Sequence, residues 1–234
     1  MTTDEQRPET PRFLEFASRA EASEALAEEI VETLTEALAE SGRAGLVVSG
    51  GTSPVEFFHA LRGQPLSWER VTIVPSDERV VPLGHPDRNE TMIRRELLQG
   101  PAEAATLRGL LPPSGAPDSL AEVAEALPAA FDAVILGMGA DGHTASLFPG
   151  SPQLDAALRS AEPLALVDVP RLGAQRVSLT PAALLTARRV DLLFFGQDKR
   201  AVFEQAAESG AVTEFPVRCV LQQNAAPVHI YWAP

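Results

Sequence analysis

Cysteine is almost absent. Cys219 is the only one in 234 residues, so no disulfide can form within the chain, which suits a reducing compartment and leads us to expect a cytoplasmic protein. Lysine is equally scarce: of the 19 basic residues, Lys199 alone is lysine and the rest are arginine. No apolar run approaches the ~18 residues that a membrane span requires. The opening MTTDEQRPETP is polar and lacks the apolar core of a signal peptide, so neither secretion nor membrane insertion is expected. Positive charge is also in deficit, with a formal net charge of −13. That sign argues against nucleic acid or an anionic membrane surface as partner, since both need a broad basic face. A small anion remains possible, because it needs only a local cluster of donors. No cluster of Cys and His has metal-ligand spacing, so no metal is expected.

The composition, 45% hydrophobic and 22% charged, is that of a soluble globular protein with ample core. Residues 1–11 read as a polar, flexible tail, and residues 12–234 as one α/β domain. Arg12 to Phe16 suits a short edge strand. Ser18 to Glu21 reads S-x-x-E, a capping box, and Leu26, Ile30, Leu34 and Leu38 then repeat at helical spacing until Gly42. Leu46 to Val48 is a buried strand, followed by Gly50-Gly51 and a helix for which Ser53 serves as cap, Pro54 as first residue and Glu56 as the partner in a second capping box. Val71 to Val74 is a strand running into Pro75-Ser76-Asp77-Glu78-Arg79, and Asn89 to Leu98 a helix. LPPSGAPDS, from Leu111 to Ser119, is a loop, and a short helix spans Leu120 to Leu127. Leu164 to Val169, Arg176 to Leu179, Val190 to Phe195, Val217 to Leu221 and Val228 to Trp232 suit strands. Thr180-Pro181 opens one helix as cap and first residue, and another begins near Asp198. Alternation of strand and helix predicts a three-layer α/β/α fold with a mostly parallel, Rossmann-like sheet.

The stretch FDAVILGMGADGHTASLFPG, Phe131 to Gly150, organises the rest. Ala133 to Leu136 is an unbroken apolar run, as in a strand buried on both faces. Gly137, Gly139 and Gly142 then take the backbone out of the sheet, and the loop carries Asp141 and His143. Alone, such a loop is as consistent with an ordinary turn as with a site. Three other strand ends also carry polar groups, however: Gly50, Gly51, Thr52 and Ser53; Asp77 to Arg79; and Lys199, with Arg176 at the start of a strand as a further candidate. The carboxyl ends of parallel strands share one edge, where open α/β sheets bind ligands, so these groups can converge. A glycine turn entering a helix offers free N–H groups to an anion, and a compact ammonium at Lys199 is a good partner for phosphate. The turn is not a P-loop, because the Gly-Lys-Ser/Thr ending is missing.

GGTSP, SDER, HPDRN, GMGADGHTASLFPG, RVSLT and GQDK occur in an order that resembles the 6-phosphogluconolactonases, a family related to glucosamine-6-phosphate deaminase and ribose-5-phosphate isomerase. The resemblance runs from about Leu46 to Gln205. It implies hydrolysis of 6-phospho-D-glucono-1,5-lactone to 6-phosphogluconate in the oxidative pentose phosphate pathway, with no cofactor. The partner would be the small sugar-phosphate lactone, and the enzyme a monomer or small homo-oligomer. His143 fits an activator of water that later protonates the leaving alkoxide, with Asp141 fixing its tautomer. Arg79 fits stabilisation of the oxyanion, with Asp77 and Glu78 orienting Arg79 or sugar hydroxyls. Gly51 to Ser53 would take the phosphate, and Lys199 and Arg176 match the family's phosphate-binding basic residues. Arg88 stands where the family usually has serine and could add phosphate affinity or face solvent, the second being expected; Ala140 replaces a larger residue. His59 and His229 read as packing or surface residues.

Two other readings follow from the same fold. An amino-sugar phosphate deaminase also has D-G-H but follows it with a glutamate that partners the histidine; Phe148 occupies that position here. A non-catalytic sugar-phosphate sensor would normally carry a DNA-binding module, for which neither the length nor the charge is suited.

Overall fold

The computed structural model describes residues 11–117 and 120–234. The tail expected over 1–11 therefore falls almost wholly outside the described residues, as do Asp118 and Ser119 of the loop before residue 120. Strands β1 (Arg12–Glu15), β2 (Ala44–Val48), β3 (Val71–Pro75), β4 (Asp77–Arg79), β5 (Thr106–Leu107), β6 (Ala133–Leu136), β7 (Leu164–Val169), β8 (Ala174–Leu179), β9 (Arg189–Phe195) and β10 (Val228–Ala233) form two sheets. Seven of them make a sheet in the order β1-β10-β9-β6-β2-β3-β5, and every pairing in it is parallel. β6 lies at its centre.

Period-two alternation explains the layers. Leu46, Val48, Ala133 and Ile135 face one apolar cluster while Val47, Val134 and Leu136 face the other. The first cluster is covered by α1 (Arg19–Ser41), α2 (Val55–Arg62) and α3 (Asn89–Glu96), the second by α6 (Pro181–Leu184), α7 (Gln197–Ala207) and α8 (Arg218–Leu221), with α4 (Leu120–Glu125) and α5 (Leu154–Arg159) completing the chain order. Apolar side chains on both faces are what a sheet with helices on each side requires. The Ser18 hydroxyl accepts from the Glu21 amide, Glu21 reaches back to the Ala17 amide, and Gly42 ends α1 at φ 74°.

Four expectations need correction. β7 and β8 do not join the parallel sheet; with β4 they form a separate antiparallel sheet in the order β4-β8-β7. Ser76 is the hinge: its N–H donates to Val48 of the large sheet, and its carbonyl accepts from Leu179 of the small one. Val217 to Leu221 is not a strand but leads into the short helix α8, with the Leu221 amide donating to Val217. A short apolar run carries no period that separates a strand from a buried helical turn. Ser53 does not cap α2. Gly51, at φ 87°, turns the chain so that Thr52, Ser53 and Pro54 form a turn, and α2 begins at Val55 with no side-chain cap. Thr180 precedes α6 as expected, yet its hydroxyl donates to the Glu162 carbonyl instead of capping the helix.

Candidate active site

At Gly137 the chain leaves the carboxyl end of β6 and folds back on itself. The Gly139 amide donates to the His143 carbonyl at 2.9 Å, the Gly142 amide donates to the Gly139 carbonyl at 3.0 Å, and the Thr144 hydroxyl reaches back to the Gly137 carbonyl at 2.9 Å. A Cβ at Gly139 would collide with the imidazole of His143, and Gly142 sits at φ 73° with the ring of Phe215 where its Cβ would be. The two glycines thus let a very tight loop form around a histidine. His143 Nδ1 bonds to Asp141 Oδ1, and its ring packs on Phe148 at 4.1 Å between centroids. A carboxylate only accepts, so the Nδ1 position carries the hydrogen and leaves Nε2 as the free nitrogen.

Asp141 is itself clamped, since Arg171 pairs with its Oδ2. Burial pushes the Asp141 carboxyl up, but the hydrogen bond and charge of His143 and the charge of Arg171 outweigh it and hold the group at about 2.

One cleft of 370 Å³ is lined by His143, Arg79, Asp77, Arg176, Lys199 and the Gly50–Ser53 turn. These are the site residues expected from the sequence, apart from Asp141, which stands behind His143. The loop of His143 is tied to the small sheet: Ser146 Oγ donates to Asp77 Oδ2 at 2.6 Å, and the Ser146 amide donates to Ser178 Oγ. Asp77 also accepts from the Ser76 hydroxyl at 2.9 Å. Arg79 is held by the Asp87 carbonyl and by Asn89 Oδ1, both at 2.7 Å, and Asn89 donates in turn to the Asp77 carbonyl. Of the two roles expected for Asp77 and Glu78, orienting Arg79 or sugar hydroxyls, the first falls to the Asp87 carbonyl and Asn89 instead. Glu78 is fully buried beneath α3, where it accepts from the amides of Arg79, Asn89 and Glu90. Desolvation raises its pKa from 4.5 to about 7 against the pull of those three N–H groups.

Arg79 and Arg176 are register partners across β4 and β8. Like charges directly opposite repel. Burial first, and then Arg79, lower the Arg176 pKa, and its Nε has no hydrogen-bond partner among the described residues. Lys199, in the first turn of α7, is shifted down by burial and by Arg19. His143, Arg79, Arg171, Arg176 and Lys199 face the cleft against one carboxylate, Asp77. In a chain of net charge −13, such local excess of donors has an anion as its natural counterpart.

Arg88 does not face solvent. It is 1% exposed and donates to the carbonyls of Val81, Leu111 and Pro112 and to Glu90. Burying it satisfies carbonyls of two loops that have no ladder of their own. Sequence reasoning missed Asn89 and Arg171. Asn89 lies inside HPDRN and opens α3, which was a usable signal. Arg171 lies in a one-turn helix, Pro170–Leu172, at the tip of the β7–β8 hairpin; in a chain so rich in arginine nothing local marks it.

The model of the family described as glucosamine-6-phosphate isomerases/6-phosphogluconolactonase matches residues 17–232. A 6-phosphogluconolactonase of Pseudomonas aeruginosa is 44% identical over 229 residues, covering 94% of this chain and 93% of its own. One of Neisseria meningitidis is 38% identical over 226 residues, covering 94% of this chain and 97% of its own. Among solved structures, a 6-phosphogluconolactonase from Shewanella baltica superposes with a TM-score of 0.93 at 35% identity, over 97% of this chain and 99% of that one. A monomeric glucosamine-6-phosphate deaminase superposes at 0.75 with 16% identity, a likeness of fold alone. With nearly the whole chain matched, this protein belongs to the family of glucosamine-6-phosphate isomerases and 6-phosphogluconolactonases.

Proposed function

We propose that this protein hydrolyses 6-phosphogluconolactone to 6-phosphogluconate, with His143 activating the attacking water. The observation that carries the reading is the Asp141–His143 pair at the wall of a cleft whose other walls supply four cationic side chains. With Nδ1 occupied, Nε2 takes a proton from water as the oxygen attacks the lactone carbonyl carbon. Asp141 offsets the charge of the imidazolium that forms. Negative charge collects on the former carbonyl oxygen, where Arg79, held in place by Asn89 and the Asp87 carbonyl, is suited to receive it. The tetrahedral intermediate collapses by breaking the bond between the carbonyl carbon and the ring oxygen. The ring oxygen takes the proton from His143 Nε2, which returns the imidazole to its starting state and releases the open-chain acid.

The phosphate would lie remote from this chemistry, on the N–H groups of Gly51 to Ser53, with Lys199 and Arg176 as its counter-charges. Negative charge brought to either Arg79 or Arg176 by the two ends of the substrate would also relieve their repulsion. Holding that phosphate places the lactone carbon against His143, and the binding energy goes into position. The deaminase reading is disfavoured by Phe148, which packs on the His143 ring and has no group to orient or protonate it.

The test is disappearance of lactone above its spontaneous rate, with lactone generated in place. His143→Ala should lose turnover, and Lys199→Ala should mainly raise KM. A wild-type protein that binds sugar phosphates without accelerating hydrolysis would overturn the reading in favour of a sensor.

A further inference from the structure

Arg171 is one of the four cations of the cleft and takes no step in the scheme above, yet it touches two of the groups around His143. Its Nη2 pairs with Asp141 Oδ2, and its guanidinium lies over the Phe148 ring at 5.1 Å from the centroid. Phe148 is 5% exposed and packs on the imidazole. The four side chains close a ring in which each is held by its neighbours: Arg171 to Asp141, Asp141 to His143, His143 to Phe148, Phe148 to Arg171. Arg171 is the half-exposed member, with 51% of its side chain open to solvent. It reaches the ring from the small antiparallel sheet, on the turn that Gly173 ends at φ 58°.

We infer that Arg171 is a positioning residue for the lactone hydrolysis proposed above: by holding the outer oxygen of Asp141, it steadies the inner oxygen on His143 and tempers the pull of that carboxylate on the imidazolium. Asp141 Oδ1 takes both His143 Nδ1 and, at 3.3 Å, the His143 amide, while Oδ2 has no hydrogen bond among the described residues and is held by the charge of Arg171 alone. Without that ion pair the carboxylate has more freedom to turn from the ring nitrogen. The charge of Arg171 also offsets part of the Asp141 charge. Asp141 therefore stabilises the imidazolium less than an unpaired carboxylate would. The other charged groups of the cleft, Arg79, Arg176 and Lys199 with Asp77, are unchanged when Arg171 is replaced, so a difference reads Arg171 alone.

The test compares wild type, Arg171→Met and Arg171→Lys in the pH dependence of kcat and KM for lactone hydrolysis. Arg171→Met should move the acid limb of kcat/KM upward by ~0.3–1 pH unit, the order expected for one partly exposed charge near the pair. On the plateau it should lower kcat by about 3- to 10-fold with KM within about twofold, as loosened geometry at the base does. Arg171→Lys restores the charge and should return the limb close to wild type. A rise in KM with an unmoved limb would make Arg171 a substrate contact and overturn the proposal, as would a Met variant identical to wild type. The inference rests on the lactonase reading for the role of His143 but not for its geometry. NMR titration of the His143 ring in substrate-free wild type and Arg171→Met should show the same upward shift. If lactone hydrolysis is absent while the ring titration shifts, the functional reading fails and the clamp stands. If hydrolysis is present and the ring titration does not shift, the clamp fails.

Discussion

Asp141→Asn separates orientation of the imidazole from its mere presence. Asp141 is depressed from 3.8 to about 2, which corresponds to about 2.4 kcal/mol of preference for the charged carboxylate in its folded surroundings. The side chain is 25% exposed, so that figure is an upper bound, shared between His143 and Arg171. Expressed wholly at the transition state, it amounts to about 60-fold in rate. Asparagine adds a second penalty when its carbonyl turns to Arg171 and its NH2 to the ring: the NH2 donates to Nδ1 and favours the His143 tautomer with hydrogen on Nε2, the nitrogen that the proposed mechanism requires to be empty. A wrong tautomer costs up to about 10⁴-fold in the serine-protease triad, so the loss in kcat should lie between about 10² and 10⁴, with KM little changed. The assay is a pH-stat record of acid released from freshly generated lactone, corrected for spontaneous hydrolysis. Stability supplies the control. A depressed carboxylate contributes stability that is fully present above its unfolded value of 3.8 and is lost as pH falls through about 2. The stability gap between wild type and Asp141→Asn should therefore narrow over that interval. An Asn variant with kcat within about threefold of wild type would refute the orienting role.

Gly139→Ala should cost at least tenfold in kcat with little loss of fold, because its Cβ would strike the His143 ring and Asp141 Oδ1; at Gly137 the nearest atom to a new Cβ is Ser49 Oγ at 3.7 Å, so Gly137→Ala should cost far less. Equal effects of the two, measured by initial rates, would discount the steric account. Glu78, raised from 4.5 to about 7, binds its proton more tightly in the folded protein than in the unfolded chain. Its contribution to stability thus declines as pH rises from 4.5 through about 7 and is level above that. Urea melts at pH 5, 6 and 7.5 should show a decline in wild type that is absent in Glu78→Gln; parallel curves would show that Glu78 stays charged throughout.

Much of the frame was legible locally. An unbroken apolar run from Ala133 to Leu136 reads as a strand buried on both faces, and Ser18, Glu21 and Gly42 mark the ends of α1 through the hydrogen bonds their side chains and backbone can make. Such signals survive because they depend on residues within a turn or two of each other. Val217 to Leu221 failed for the same reason: within so short a run, the choice between strand and helical turn is made by what packs on it. Here the Val217 amide donates to Gly142 and Phe215 fills the space beside that glycine.

The glycine turn after β2, the His143 loop after β6 and Lys199 after β9 could be placed together from the sequence, since the carboxyl ends of parallel strands open at one edge. Asp77, Arg79 and Arg176 reach the same cleft from the small antiparallel sheet instead. Which charges face the cleft was not legible locally. Glu78, Arg79 and Arg88 are close in sequence, yet Arg79 lines the cleft while Glu78 and Arg88 are buried in a network under α3. A charge can be buried only where partners replace its water, and the partners of Arg88 come from Val81, Leu111 and Pro112. Arg171 meets Asp141 only because β7 and β8 pair into their own hairpin. Residue type and spacing thus determined most strands of the large sheet, the glycine loop after β6 and the kind of chemistry available. Contacts between distant segments decided which charged groups face the cleft, because the free energy of a charge depends on what surrounds it after folding.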